Sequence, residues 1–152
     1  MRTDLSVRAL HLGDMRVDVQ VRGHILPMGY PAQGEANPTP LEVLLASVAA
    51  CAANTLNLVL CRKMGAKVAS LEVEARAERR EEHPPVLTAI ELDYHLRGEE
   101  LSPEMIERAL RIAEEQLCPA LAMLRPGTQI RSSWQMDGRE CGAICLKEGH
   151  DE

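Results

Sequence analysis

Residues 37–65, NPTPLEVLLASVAACAANTLNLVLCRKMG, constrain the fold more than any other stretch of the chain. Thr39 is a suitable N-cap, Pro40 fits the first helical position, and Glu42, three residues after the threonine, completes a capping box. Gly65 supplies a stop, with Arg62 and Lys63 in the last turn, where the helix dipole favours cations. Between these signals lie about six helical turns, whose interior polar residues are Ser47, Asn54, Thr55 and Asn57. A helix apolar nearly all round is expected to be buried on all sides. It is also long enough to span a bilayer. The polar strands on either side and the lack of a second such run favour a core helix, and no membrane partner is expected.

Cys51 sits in the middle of this helix among Ala46, Ala49, Ala50, Ala52 and Ala53. Small residues let another backbone come close. Helical spacing puts Ser47, Asn54 and Thr55 on the cysteine's face, at i−4, i+3 and i+4. Two readings stand side by side: a small buried hydrophobe with tolerated polar neighbours, or a thiol in a site.

A chain of 152 residues suits a single domain with a real core. Hydrophobic content of 45% excludes a disordered sequence, and 2% aromatics with no Phe predicts an aliphatic core. The formal charge of −6, with no basic patch, argues against a nucleic-acid partner. The first residues, MRTDLSVRALHLG, lack the apolar stretch of a signal peptide. Five cysteines in that context point to reduced thiols and a cytoplasmic location.

Taken in order, residues 5–22 alternate, with a hairpin turn expected at Gly13-Asp14 and Met15, Val17, Val19 and Val21 on one face. Residues 23–38, rich in Gly and Pro, read as a long functional loop before the helix. Residues 71–78 and 86–97 alternate as two antiparallel strands. Ser102-Pro103 opens a second helix with Met105, Ile106, Leu110, Ile112, Ala113 and Leu117 as its apolar stripe. Glu107, Arg108, Arg111, Glu114 and Glu115 are assigned to its solvent side. That helix ends at Cys118-Pro119. A short helix at 119–124, a turn at Pro126-Gly127 and a last strand at 129–136, with Ile130 and Trp134 facing in, follow. The reading is one α+β domain over 1–136 and a polar tail over 137–152.

Cys118 would cap the short helix, facing the free N–H groups of Ala120 and Leu121, a position that favours an anion and lowers a thiol's pKa. Alternatively, Cys-Pro is only a helix break.

Pro38-Thr39-Pro40-Leu41-Glu42-Val43-Leu44-Leu45-Ala46-Ser47, Ala49-Ala50-Cys51 and the distant Cys118-Pro119 together resemble the OsmC/Ohr family. The resemblance covers about residues 5 to 136. It implies the OsmC/Ohr-like fold, antiparallel sheets wrapped around a long buried central helix in an intertwined homodimer with two interfacial active sites. It also implies thiol-dependent reduction of hydroperoxides: Cys51 attacks the peroxide, Cys118 resolves the sulfenic acid, and an external dithiol reduces the disulfide. No cofactor or metal is implied. Peroxidases of the family activate the helix cysteine with an arginine and a carboxylate, for which Arg22 and Glu42 are the candidates here. The family's glutamate falls ten residues before the cysteine, where this chain has Leu41. Nine residues put Glu42 on the opposite side of a straight helix from Cys51, about 13 Å along its axis, which fits a cap better than a catalytic partner.

Among the rest, Cys61 reads as core filler, about 15 Å along the helix from Cys51. Cys141, Cys145 and His150 fit no strong zinc spacing. His24 and Tyr30 border the Gly/Pro loop, and His11 and His95 read as surface strand residues. The alternative to a peroxidase is a non-catalytic protein that binds an apolar or thiol ligand in the interfacial pocket.

Overall fold

The computed structural model describes residues 4–30 and 37–146, and the chain forms two compact units, residues 1–44 and 45–152. The first unit carries a three-stranded antiparallel meander of β1 (Arg8–Gly13), β2 (Arg16–Val21) and β3 (His24–Gly29). Its first turn is Asp14-Met15, one residue later than expected, with both residues at positive φ. The second is Arg22-Gly23, again at positive φ, the backbone of a tight hairpin whose twist matches the strands. The expected 23–38 loop is therefore corrected: its first half is β3. Pro27 is tolerated there because β3 is an edge of the sheet, where a missing N–H costs no ladder bond.

Helix α1 (Pro40–Leu58) begins with the capping box: Glu42 N–H donates to Thr39 Oγ1 at 3.2 Å, and Thr39 N–H donates to Glu42 Oε1 at 3.0 Å. It continues through a wider π turn, Val59–Lys63, in which Met64 N–H reaches Val59 O at 3.0 Å. Gly65, at φ 68°, stops it. Pro40–Lys63 is long and apolar enough to cross a membrane by length and composition. In this chain it serves as a core helix: Val48, Ala52, Leu56, Val59 and Leu60 are buried in the second unit's core. Burial is one-sided, however, since Ala46, Ser47, Ala50, Asn54, Asn57 and Leu58 face outward. The expectation of burial on all sides fails for the single chain.

The second unit sets α1 with a four-stranded sheet of β4 (Lys67–Arg79), β5 (Leu87–Glu99), β6 (Gln129–Met136) and β7 (Arg139–Leu146), in that spatial order. β4 and β5 pair antiparallel as expected. β5 and β6 pair in parallel, because α2 (Pro103–Ile112) and α3 (Pro119–Leu124) supply the crossover that a parallel connection requires. β7 corrects the tail reading: Asp137-Gly138, both at positive φ, turns the chain back antiparallel to β6. The core is mainly aliphatic, with Trp134 and Tyr94 as its largest fully buried side chains.

Gly142 in β7 lies under Trp134, where a Cβ would come within 2.8 Å of the indole Nε1. Gly142→Val should overpack this contact and cost roughly 1–3 kcal/mol, read as a lowered thermal midpoint. An unchanged midpoint would show that β7 does not pack on Trp134 as described.

Candidate functional site

Two helical devices bring the predicted thiols together. Cys51 lies in α1's run of small residues, and Thr55, one turn on, ties its hydroxyl back to the Cys51 carbonyl at 2.7 Å. That hydroxyl therefore serves the backbone, as Thr does inside helices. Asn54 and Ser47 lie on the exposed side. Cys118 stands at the break between the π turn Ala113–Leu117 that ends α2 and the start of α3. Its N–H closes the π turn on Ala113 O at 2.8 Å, and Pro119 begins α3. Cys118 is 2% exposed, whereas Cys51 is half-buried.

The two sulfurs, 67 residues apart in sequence, are 3.3 Å apart, with the Cys118 thiol donating to Cys51 Sγ. Both are free thiols. A disulfide requires about 2.05 Å, so closure asks only about 1.2 Å of movement. Burial pushes the Cys118 thiol up to about 11, outweighing the N–H groups of Leu121 and Ala120 that pull it down. The expectation of a lowered pKa at this cap is thus overturned, because desolvation disfavours the thiolate more than the short helix end favours it. Its hydrogen bond to Cys51 raises it further.

Sequence reasoning missed a buried polar cluster beside the pair. Glu114, assigned to the solvent side of α2, is 2% exposed. The wider π turn shifts the helical phase, swinging Leu117 off the apolar stripe and Glu114 towards it. Glu114 Oε1 accepts the Tyr94 hydroxyl at 2.7 Å and the Ser132 hydroxyl at 2.5 Å, while Oε2 is buried without a partner among the described residues. Burial raises the Glu114 pKa against the opposing effect of those two bonds, with the Glu115 charge adding a little. Tyr94 is pushed well above the ordinary phenol range by burial, then by Glu114, and further by the charges of Cys118 and Cys51. Phenol, hydroxyl and carboxyl therefore form one buried hydrogen-bonded cluster.

Of the other candidates, Arg22 belongs to the first unit, exposed in the β2–β3 turn directly after β2. Glu42 is fully exposed and engaged with Thr39, whose bonds hold its carboxyl below the usual range. Cys61 is not core filler: it is partly exposed and its thiol donates to Asn57 Oδ1 at 3.3 Å. Cys145 is exposed on β7, while the Cys141 side chain and His150 lie outside the described residues. His24, His11 and Tyr30 are exposed. His95 lies 3.6 Å from Asp93 on the outer face of the second sheet. A groove of about 400 Å³ on that sheet, lined by Arg76, Asp93, Arg131 and Cys145 among others, contains neither Cys51 nor Cys118.

In this two-sheet α+β fold a thiol of the long apolar helix and a thiol at a helix break thus lie in contact. A family model for OsmC-like proteins matches residues 32–133. Protein YhfA of Escherichia coli K12 is 30% identical over 103 residues, covering 68% of this chain and 76% of YhfA. The OsmC-like protein from Mycoplasma pneumoniae superposes with a TM-score of 0.80 at 20% identity, covering 90% of this chain and 99% of that one. The organic hydroperoxide resistance protein OhrB of Bacillus subtilis superposes at 0.60 with 16% identity, over 89% and 98% of the two chains. The chain belongs to the OsmC-like family, and its fold is the OsmC/Ohr fold.

Because folding raises the Glu114 pKa above its ordinary 4.5, the folded chain retains a proton that the unfolded chain has lost just above that pH. The stability this lends is full below 4.5 and is lost as pH rises through the folded value. Wild type should therefore lose thermal stability relative to Glu114→Gln across that interval. A difference that stays constant from about pH 4 to about pH 8 would contradict the burial of a titrating Glu114.

Proposed function

We propose that this protein is a thiol-dependent peroxidase that reduces organic hydroperoxides, working as a homodimer in the cytoplasm as part of oxidative-stress defence. The contact that carries the reading is the 3.3 Å approach of two free thiols from distant parts of the chain. Membership in the OsmC-like family supports it, as does the name of OhrB, a structural neighbour in organic hydroperoxide resistance. The outward face of α1, with Ala46, Ala50 and a 39% exposed Leu58, supports pairing of two copies through this helix.

Cys51, the more accessible sulfur, attacks as the thiolate on one oxygen of ROOH. The S–O bond forms, the O–O bond breaks, and RO⁻ leaves to take a proton and become the alcohol. Cys51 is then a sulfenic acid. Cys118 attacks its sulfur, the S–S bond forms, and the hydroxyl leaves with the Cys118 proton as water. An external dithiol exchanges with this disulfide, returning both thiols and leaving oxidised itself. Each cycle thus moves two electrons from the dithiol to the peroxide. The parts implied for Arg22 and Glu42 rest on the family resemblance alone, and the bonds Glu42 makes are those of a cap.

Cumene hydroperoxide consumption with excess dithiothreitol should be lost in Cys51→Ser. Cys118→Ser should instead accumulate a sulfenic acid at Cys51, trapped by dimedone and located by peptide mass. Equal slow consumption by wild type and Cys51→Ser would remove the peroxidase reading.

A further inference from the structure

We propose that Glu114 is a positioning residue for the thiol pair: held by Tyr94 and Ser132, it fixes the π turn that aims Cys118, in place of Leu117, at Cys51. The role rests on the thiol-pair reading above but concerns only the geometry of the two sulfurs, so its test needs no peroxide.

Helix α2 buries a stripe made of Ile106, Ala109, Leu110 and Ala113. In an unbroken α-helix the next inward position after Ala113 is Leu117, four residues on, and Cys118 lies about 100° further round. The chain departs from this. Cys118 N–H donates at 2.8 Å to Ala113 O, five residues back, so the last turn holds one residue more than an α turn. The extra residue passes the inward position from Leu117 to Cys118: Leu117 is 37% exposed and Cys118 is 2% exposed. That exchange is what brings the Cys118 sulfur to 3.3 Å from Cys51 Sγ.

A π turn is uncommon, and here its second residue ties it to the sheet. Glu114, 2% exposed, accepts the Tyr94 hydroxyl at 2.7 Å and the Ser132 hydroxyl at 2.5 Å on the same oxygen. Those hydroxyls come from the neighbouring strands β5 and β6. In α geometry Glu114 sits on the flank of the buried stripe. Closing the turn to that geometry would swing the carboxyl off both hydroxyls and leave buried polar groups unpaired. The sheet thus sets the phase of the turn through Glu114, and the turn sets the place of the sulfur. Oε2 is buried and without a partner among the described residues, a placement that costs stability by itself. On the outer side, Arg125 Nη1 donates to Glu115 O at 3.4 Å, joining the end of α3 to the same turn.

The test is the redox equilibrium of the pair in protein whose Cys61, Cys141 and Cys145 are replaced by Ser. Oxidised glutathione takes two electrons from the dithiol. Cys51 displaces one glutathione thiol, Cys118 displaces the second, the Cys51–Cys118 bond forms, and the two protons leave with the released thiols. The ratio of disulfide to dithiol across a glutathione series, read by alkylation and intact mass, gives the effective concentration of the two thiols. In a folded chain that quantity reports their alignment, whatever the stability of the fold. Glu114→Gln, which keeps an oxygen for both hydroxyls, should match wild type. Glu114→Leu should lower the effective concentration by roughly ten- to a hundredfold. Should that variant not fold, Glu114→Leu combined with Tyr94→Phe and Ser132→Ala, which leaves no hydroxyl of the cluster unpaired, carries the same expectation. A folded Glu114→Leu or triple variant at the wild-type effective concentration overturns the proposal. So does a Glu114→Gln that falls as far as Glu114→Leu, and so does a wild type that forms no Cys51–Cys118 bridge. The expected shifts in a protein that consumes no peroxide would sustain the positioning role and remove the peroxidase reading alone.

Discussion

The contact between Cys51 and Cys118 depends on helix α1 staying thin where it must. Ala49, Ala52 and Ala53, the small residues around Cys51 that are not exposed, give that side of the helix almost no side-chain bulk. A second helical run can therefore set its break, and the thiol at that break, 3.3 Å from the first sulfur. The apolar turns on either side, Val48 through Leu60, anchor the helix in the core so that the approach is fixed. Small residues set the distance; large ones hold it.

The electrostatics around the pair work against ionisation of one sulfur. Burial lifts Cys118 to about 11 in spite of two backbone N–H groups at the head of α3. The result is a division of labour consistent with the proposed cycle. In that proposal the half-buried Cys51 meets the oxidant, and the buried Cys118 holds its proton until it attacks. The only buried carboxylate among the described residues, Glu114, stands one helical turn before Cys118, held by the Tyr94 and Ser132 hydroxyls.

Much of this was legible in the chain. The capping box at Thr39 and Glu42, the alternation of β4 and β5, the Ser102 cap and the Cys118-Pro119 break each carry a local signal that tertiary packing leaves in place. Both thiols were legible as well, though only the fold could bring together residues 67 apart. Other features were hidden for physical reasons. β3 is masked by Pro27, tolerable only because that strand is an edge. β7 sits behind a charged, Cys-rich sequence, although Asp137-Gly138 is a strong hairpin signal and was available. Glu114 escaped because a straight-helix count cannot foresee a π turn, and one such turn moved a glutamate into the core and a leucine out of it. The outward face of α1 is a different case: it mixes Ala46, Ala50 and Leu58 with Ser47, Asn54 and Asn57, and a single chain leaves it uncovered.

The most direct measurement is a single turnover. Reduced protein is mixed with one equivalent of cumene hydroperoxide, quenched by alkylation and digested without reductant. The account predicts that the main product is a peptide pair joined through Cys51 and Cys118, formed together with cumyl alcohol. Alcohol formation with Cys118 recovered as an alkylated thiol, or an oxidised protein whose bridge joins other cysteines, would contradict it.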